Sequence, residues 1–243
     1  MEWFAYPALS LVLVALFTRE VIAPASGNPC DKRWQYMALS MGLLTMCVTL
    51  ATGYVFGPEI RQYALLPLAD KLAAPVLGFL SFLTNSFIFY WWHRATHASD
   101  FLWRHVHQLH HSAQRIESLT AFFAHPLDTA CATLISCLSS YLLFGATEMG
   151  AAWALLFTGV FDLYLHADRN SPPWLGYLIQ RPEMHRVHHA YGHHAQNYGL
   201  PVWDMLFGTW HNPTVQVERC GFDDEKSDNI CAMLRGVDVH RLP

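Results

Sequence analysis

Eight of the fifteen histidines stand in three tight clusters: His93-x-x-x-His97, His107-x-x-His110-His111 and His185-x-x-His188-His189. Residues three and four apart share one face of a helix, so each cluster presents its imidazoles from one side. Neutral imidazole is the commonest metal ligand of proteins. A lone histidine is most often a satisfied core or surface side chain, but three clusters with these offsets point to a ligand set, because an amphipathic helix gains its solvation better from Arg or Lys. Imidazole suits Zn, Cu, Fe and Ni. A structural zinc site closes with four ligands, so eight histidines are too many for one ion and the right number for two. The zinc-protease pattern H-E-x-x-H is absent, which disfavours that chemistry. No cysteine neighbours the clusters, which disfavours blue copper and iron–sulfur.

The elements that position the clusters read as membrane helices. Hydrophobic residues make up 53% of the 243 residues and charged ones 14%, against roughly 25% charged in soluble domains. Trp3 to Phe17 is uncharged and predicts a first span reaching Ile22. A signal peptide fits less well, since Glu2 replaces the basic start such peptides carry. Tyr36–Phe56 and Leu72–Trp92 are uncharged and long enough to cross hydrocarbon. The second of these ends in Tyr90-Trp91-Trp92, an interfacial aromatic belt. Thr129–Thr147 predicts a fourth span and Met149–Phe161 a shorter fifth. The short link Gly145–Gly150 makes these two a helical hairpin. The loop with Arg19, Lys32 and Arg33 is richer in cations than the one with Arg61 and Lys71. The positive-inside rule then places the first loop in the cytoplasm, and alternation brings all three clusters to that same side.

The reading is thus an all-α integral membrane bundle of four to five spans with a cytoplasmic histidine-rich cap, one domain over 1–243. Residues 1–92 supply N-terminal spans, 93–213 the histidine-rich core with the hairpin, and 214–243 a polar, peripheral cytoplasmic tail. The first cluster continues the third span. Ser99 and Asp100 offer capping oxygens for a helix from Phe101 that carries the second cluster. Pro182 suits the first position of a short third helix, Glu183 its positive end and Gly192 its stop. The six cysteines form no C-x-x-C pair and read as reduced structural residues. A net charge of −4 with no basic run argues against nucleic acid as a partner.

From His93 to Trp210 the chain resembles the fatty acid hydroxylase/sterol desaturase superfamily of membrane di-iron oxygenases. Leu102-Trp103-Arg104 precedes the second cluster and Ser112 follows it. His125-Pro126-Leu127-Asp128 resembles that family's short His-Pro-x-acid element, and Arg181-Pro182-Glu183-Met184 precedes the third cluster. Asn197-Tyr198-Gly199 and Trp203-Asp204-Met205-Leu206-Phe207-Gly208-Thr209 resemble its closing signature. The resemblance implies two Fe ions held by histidine, with Zn a possible replacement, and O2 as co-substrate. It also implies a lipid substrate taken from the membrane and hydroxylated or desaturated at an unactivated C–H bond. No haem or flavin motif occurs, so an external electron donor is implied, of ferredoxin or cytochrome b5 type with its reductase.

The family often supplies a further ligand where His166 stands, sometimes as a histidine pair; here Asp162 takes the earlier place of that pair. The metal set is therefore His93, His97, His107, His110, His111, His166, His185, His188 and His189. Neutral imidazoles leave metal charge uncompensated, so carboxylates behind the rings are expected to orient them and raise their basicity. The candidates are Asp162 and Glu183, closest to the chemistry, then Asp128, Asp168 and Asp204, with the carboxamide of Asn197 as a further supporting group. For Glu183, stabilisation of its own helix start is the competing reading. His193 and His194 can ligate or lie in a surface loop, His105 reads as structural, and His125 as an interfacial or supporting group. Phe122, Phe123, Trp153, Tyr164, Tyr198 and Trp203 can line a pocket, though each alone reads better as interface packing. A membrane metal transporter or sensor is the alternative function. It calls for polar groups near mid-bilayer, whereas here the spans are nearly free of them and the histidines sit at their ends. The substrate, and hydroxylation against desaturation, are not legible.

Overall fold

The computed structural model describes residues 2–27, 32–193 and 195–241, and among them no strand forms beyond one isolated bridge, Ala190 to Cys220. Five helices are long and apolar enough to cross a membrane: α1 (Ala5–Ile22), α2 (Lys32–Arg61), α3 (Ala74–Ala98), α5 (Pro126–Cys137, widening into a π segment, Leu138–Leu143) and α6 (Glu148–His166). The fourth helix, α4, runs Asp100–Leu102, a π turn Trp103–His107, and Gln108–His111. Two short helices follow, α7 (Pro182–His188) and α8 (Pro201–Leu206).

α2, α3 and α6 overrun their uncharged cores, whereas α5 with its π segment stops at Leu143, short of Thr147. α3 continues six residues past Trp92 to Ala98, carrying His93 and His97 on one face as their spacing predicts. Ser99 caps the next helix, its Oγ accepting from Leu102 N–H at 3.3 Å. The π turn in α4 is not legible from spacing: it places five residues in a widened turn just before the second cluster. α7 begins at Pro182 as expected. It closes at His188, earlier than Gly192 suggests, because His189 already leaves helical geometry (φ −89°, ψ 4°).

The expected hairpin of α5 and α6 turns at Gly145, whose φ of +59° is the left-handed conformation that glycine adopts without strain. Beyond the turn the two helices diverge, α5 packing on α2 and α6 on α3 and α1. α3 and α6 run parallel, both ending at the histidines. Gly78 lets them touch: a Cβ there would lie 2.4 Å from Trp153 Cβ and 2.9 Å from Ala154 N and Gly150 O. Two of these three obstacles are backbone, so the helices themselves would have to part. Gly78→Ala is expected to cost about 1–3 kcal/mol, read as a lower melting temperature in detergent; an unchanged melt would show that the pair is not clamped there.

One expectation is corrected. The segment after Pro213 is polar in composition, yet it is no peripheral tail. Cys220, Phe222, Ala232, Met233 and Val239 enter one buried cluster with Leu109, Ala113, Ile116, Leu119 and Phe123, and with Ala38 and Met41 of α2. Its charges, Asp223 to Lys226 among them, mask a sparse apolar face that only the fold aligns. The same segment grips α4, because Gln108 donates to Val237 O at 2.7 Å and accepts from Val239 N–H at 3.4 Å. The five described cysteines are free, as read from the sequence; Cys30 lies outside the described residues.

Candidate metal centre

The nine histidines converge. His93, His97, His107, His111 and His188 form one group, and His110, His166, His185 and His189 a second; within each, one ring nitrogen from every residue lies within 4.8 Å of the others. Four separate stretches contribute: the end of α3, α4, the end of α6, and α7 with His189 just beyond it. The second cluster is split between groups, His107 and His111 to one and His110 to the other. The third divides likewise, His188 against His185 and His189.

The hydrogen bonds behind the rings fix which nitrogen faces inward. His93 Nδ1 donates to Tyr198 O at 2.8 Å, His107 Nδ1 to Asp128 Oδ2 at 2.8 Å, and His188 Nδ1 to Gln196 O at 2.8 Å. His110 Nδ1 donates to Phe123 O at 3.1 Å and His166 Nδ1 to Asp162 O at 2.9 Å. A neutral imidazole has only one N–H, so in these five rings Nε2 is a bare lone pair. Yet His93 Nε2 lies 3.0 Å from His107 Nε2, and His110 Nε2 lies 3.3 Å from His166 Nε2. Lone pairs at that separation repel unless a cation stands between them. Metal–nitrogen bonds of about 2.0–2.1 Å put neighbouring ligand nitrogens about 2.9 Å apart at a right angle and about 3.3 Å at the tetrahedral angle. The observed spacings fit. His188 Nε2 is buried without a hydrogen-bond partner, as a ring nitrogen committed to a metal would be.

The electrostatics agree. Burial first, then the charges of neighbouring imidazoles, hold His110, His111, His185, His188 and His189 well below the ordinary histidine range. These rings stay neutral near pH 7, the form that ligates.

The supporting acids fall into distinct places. Asp128 stands behind His107 and is held there by Trp92 Nε1 at 3.1 Å. Asp162 supports His166 through its carbonyl and brings a carboxylate oxygen to 3.3 Å of Nδ1; it joins neither histidine group. Glu183 does not reach a ring. Its carboxylate accepts from Ser171 N–H at 2.7 Å and Ser171 Oγ at 2.8 Å and pairs with Arg181 at 3.0 Å, anchoring the start of α7. Asp204 accepts from Tyr198 N–H, Gly199 N–H and the Thr209 hydroxyl, setting the loop whose Tyr198 carbonyl orients His93. Burial pushes its carboxyl up to about 6 despite those three donors. Asn197, at φ +49°, bridges Met184 O and His211 through its carboxamide. His125 caps α5, accepting from Leu127 N–H at 3.1 Å, and His105 bonds Phe101 O. His193 is exposed and outside both groups; His194 lies outside the described residues.

A buried ionic lattice beneath the centre is not predicted by the motifs. Asp168 pairs with Arg186 and lies 3.6 Å from Arg115. Arg115 pairs with Glu117 at 2.7 Å, and Glu117 accepts from Trp34 Nε1 at 2.7 Å. Glu20, at the end of α1, accepts from Ser118 and from Asp168 N–H. Thus α1, α2, the loop after the second cluster, the end of α6 and α7 share one network. A charge at the close of an apolar helix, as Glu20 is, was the only signal for it.

Above the histidines the diverging spans enclose a cavity of about 500 Å³, walled by residues of α1, α2, α3, α5 and α6 and reaching His93, His107, His110, His166 and His185. Of the aromatic candidates, Phe122 and Tyr198 line it. Phe123 belongs to the cap core, Trp153 packs at a tilt against Phe4 and Phe157, Trp203 meets Phe87 edge to face, and Tyr164 lies under Arg169.

The fold and site define a multi-pass, all-helical membrane protein whose histidine-rich donor set fits a metal centre. The family model described as fatty acid hydroxylase matches residues 78–209. The ornithine lipid hydroxylase OlsE of Rhizobium tropici is 30% identical over 87% of this chain and 68% of its own length. A very-long-chain aldehyde decarbonylase of Oryza sativa subsp. indica is 30% identical over 54% of this chain and 52% of its own. The alkylglycerol monooxygenase of Caenorhabditis elegans is 28% identical over 52% of this chain and 25% of its own. No solved structure matches. The chain belongs to the fatty acid hydroxylase family and is an enzyme of that family. The alternative of a metal transporter or sensor finds no support among these relatives.

Proposed function

We propose that this protein is an O2-dependent di-iron oxidoreductase that hydroxylates or desaturates an unactivated C–H bond of a membrane lipid. The observation that carries the reading is the pairing of bare Nε2 atoms in two adjoining histidine groups at the floor of an apolar cavity. One metal ion would sit in the five-histidine group and a second in the four-histidine group. When bound, they would supply O2 activation and oxidation of the C–H bond. The names of the relatives, a lipid hydroxylase and an alkylglycerol monooxygenase among them, support a lipid substrate.

The chain's own contribution is placement. Asp128 and the carbonyls of Tyr198, Phe123, Asp162 and Gln196 hold the rings with Nε2 inward, which raises their basicity. The cavity admits an alkyl chain from between the spans and excludes water from the reacting end. We place the centre on the cytoplasmic side, following the cations Arg19, Lys32 and Arg33, where a soluble donor of ferredoxin or cytochrome b5 type delivers the two electrons. Lipid mass spectrometry of cells with and without the protein tests the reading. A lipid gaining one oxygen, or losing two hydrogens, only when the protein is present is the expected result; unchanged lipid profiles with abundant folded protein would overturn it.

A further inference from the structure

Several hydroxyls on the spans are spent on their own helices. Ser10, Ser40, Thr45, Ser86, Thr133 and Ser139 each bond a carbonyl three or four residues back. Two polar side chains of the cavity wall instead bury an atom that no partner reaches. Asn85 on α3 is 7% exposed and its carboxamide oxygen has no partner; Thr158 on α6 leaves its buried hydroxyl unbonded. A buried polar atom without a partner is costly, and inside a membrane such a group marks a functional position. Ser81 is also unpaired, but it does not reach the cavity.

Both line the same cavity. Asn85 lies eight residues before His93, and Thr158 eight before His166. At 1.5 Å per residue each stands roughly 12 Å above its histidine along the helix. The helices run parallel, and Phe82 of α3 meets Phe157 and Phe161 of α6 at 6.3 and 6.0 Å, which sets Asn85 nearer the histidine end of the bundle than Thr158 by roughly one turn. Both polar groups therefore face the same apolar cavity about a turn apart. A carboxamide oxygen needs a donor and a threonine hydroxyl can give or take, so a lipid hydroxyl can answer either.

We propose that Asn85, with Thr158 about a turn farther from the histidines, forms a recognition point for a hydroxyl on the lipid substrate, selecting molecules whose hydroxyl lies roughly 12 Å from the oxidised carbon. The proposal rests on the oxygenase reading for what happens at the histidines, but the recognition itself is a binding property. An alkyl chain entering without a hydroxyl leaves both groups unsatisfied. One that carries it is fixed in depth as well as held, and depth decides which C–H bond meets the metal centre.

The test uses the intact protein as purified in mild detergent, with hexadecanol and hexadecyl methyl ether as probes; the ether keeps the oxygen and loses the donor. Binding is read by thermal shift across a concentration series. Wild type should bind the alcohol about tenfold more tightly than the ether, the worth of one buried hydrogen bond. Asn85→Leu, nearly isosteric, should bind the two equally, and without probe should melt at or above wild type because an unsatisfied group has gone. Thr158→Val should reduce the preference and guards against misfolding of the first variant. Equal binding of both probes by wild type, or a preference retained in Asn85→Leu, overturns the proposal. A protein that prefers the alcohol but never oxidises lipid keeps this site and loses the oxygenase reading, while lipid oxidation without the preference does the reverse.

Discussion

His110→Ala protein is expected to insert in the membrane normally, to retain about half the metal of wild type, and to form no detectable product, a loss exceeding about 100-fold. The size follows from the layout. His110 belongs to the four-histidine group, which has the smaller set of ligands to spare. Even partners behind a ligand typically cost 10–100-fold when removed, so the ligand itself should cost more. Its ring is fixed by the Phe123 carbonyl and faces His166 at 3.3 Å; deleting it leaves His166, His185 and His189 to hold an ion without the bond that closes the set. Insertion should survive because His110 lies in α4, outside all five spans. His193→Ala is the control: exposed and outside both groups, it should leave metal and activity unchanged. Metal analysis of purified protein, with product assay, checks both. Zinc counts as metal here, since it outcompetes ferrous iron for nitrogen ligands. Full activity with undiminished metal in His110→Ala would move the chemistry elsewhere.

The second large effect is on stability. Arg186 is 1% exposed, pairs with fully buried Asp168, and reaches Gln216 Oε1 at 2.6 Å. Removing one member of a buried ion pair typically costs 3–5 kcal/mol, because the other charge is left behind. Asp168 would keep Ser26, Ala25 N–H and the more distant Arg115, so the lower end, about 3 kcal/mol, is expected for Arg186→Ala. For a chain of this size that is roughly 6–12 °C in melting temperature. Arg186→Lys should recover only part of it, since an ammonium on a single stem cannot fork to Asp168 and Gln216 together. Because Arg186 sits between His185 and His188 on α7, metal affinity should fall alongside. An unchanged melting curve would mean that the lattice is not coupled to folding.

The same lattice marks where the sequence stops being legible. The cluster spacings alone placed His93 and His97, His107, His110 and His111, and His185, His188 and His189 on common helix faces. Spacing is local geometry, and local geometry survives into any tertiary arrangement. His166 came from the family resemblance, and the structure brings its ring beside His110 and His185. Asp128 was also legible, as the acid of a short motif. Glu183 was not: a first-turn acid beside Arg181 has two plausible partners in sequence, and folding gave it Ser171 instead of a ring. The polar segment after Pro213 hid its apolar face because Phe222, Met233 and Val239 align only once the chain has turned back on α4.

The sequence by itself determined an all-helical membrane chain with three histidine faces, because hydrophobic runs and offsets of three and four are properties of a helix alone. Tertiary structure decided the rest. It divided the nine histidines into groups of five and four across cluster boundaries, and it chose backbone carbonyls as the acceptors behind most of the rings whose inner hydrogen bonds are seen. It also parted α5 from α6 to leave a cavity with Asn85 and Thr158 in its wall. The physical reason is that a backbone carbonyl is the same in every residue, and a void belongs to no residue at all. Neither leaves a mark in the sequence, and both exist only once distant helices have packed.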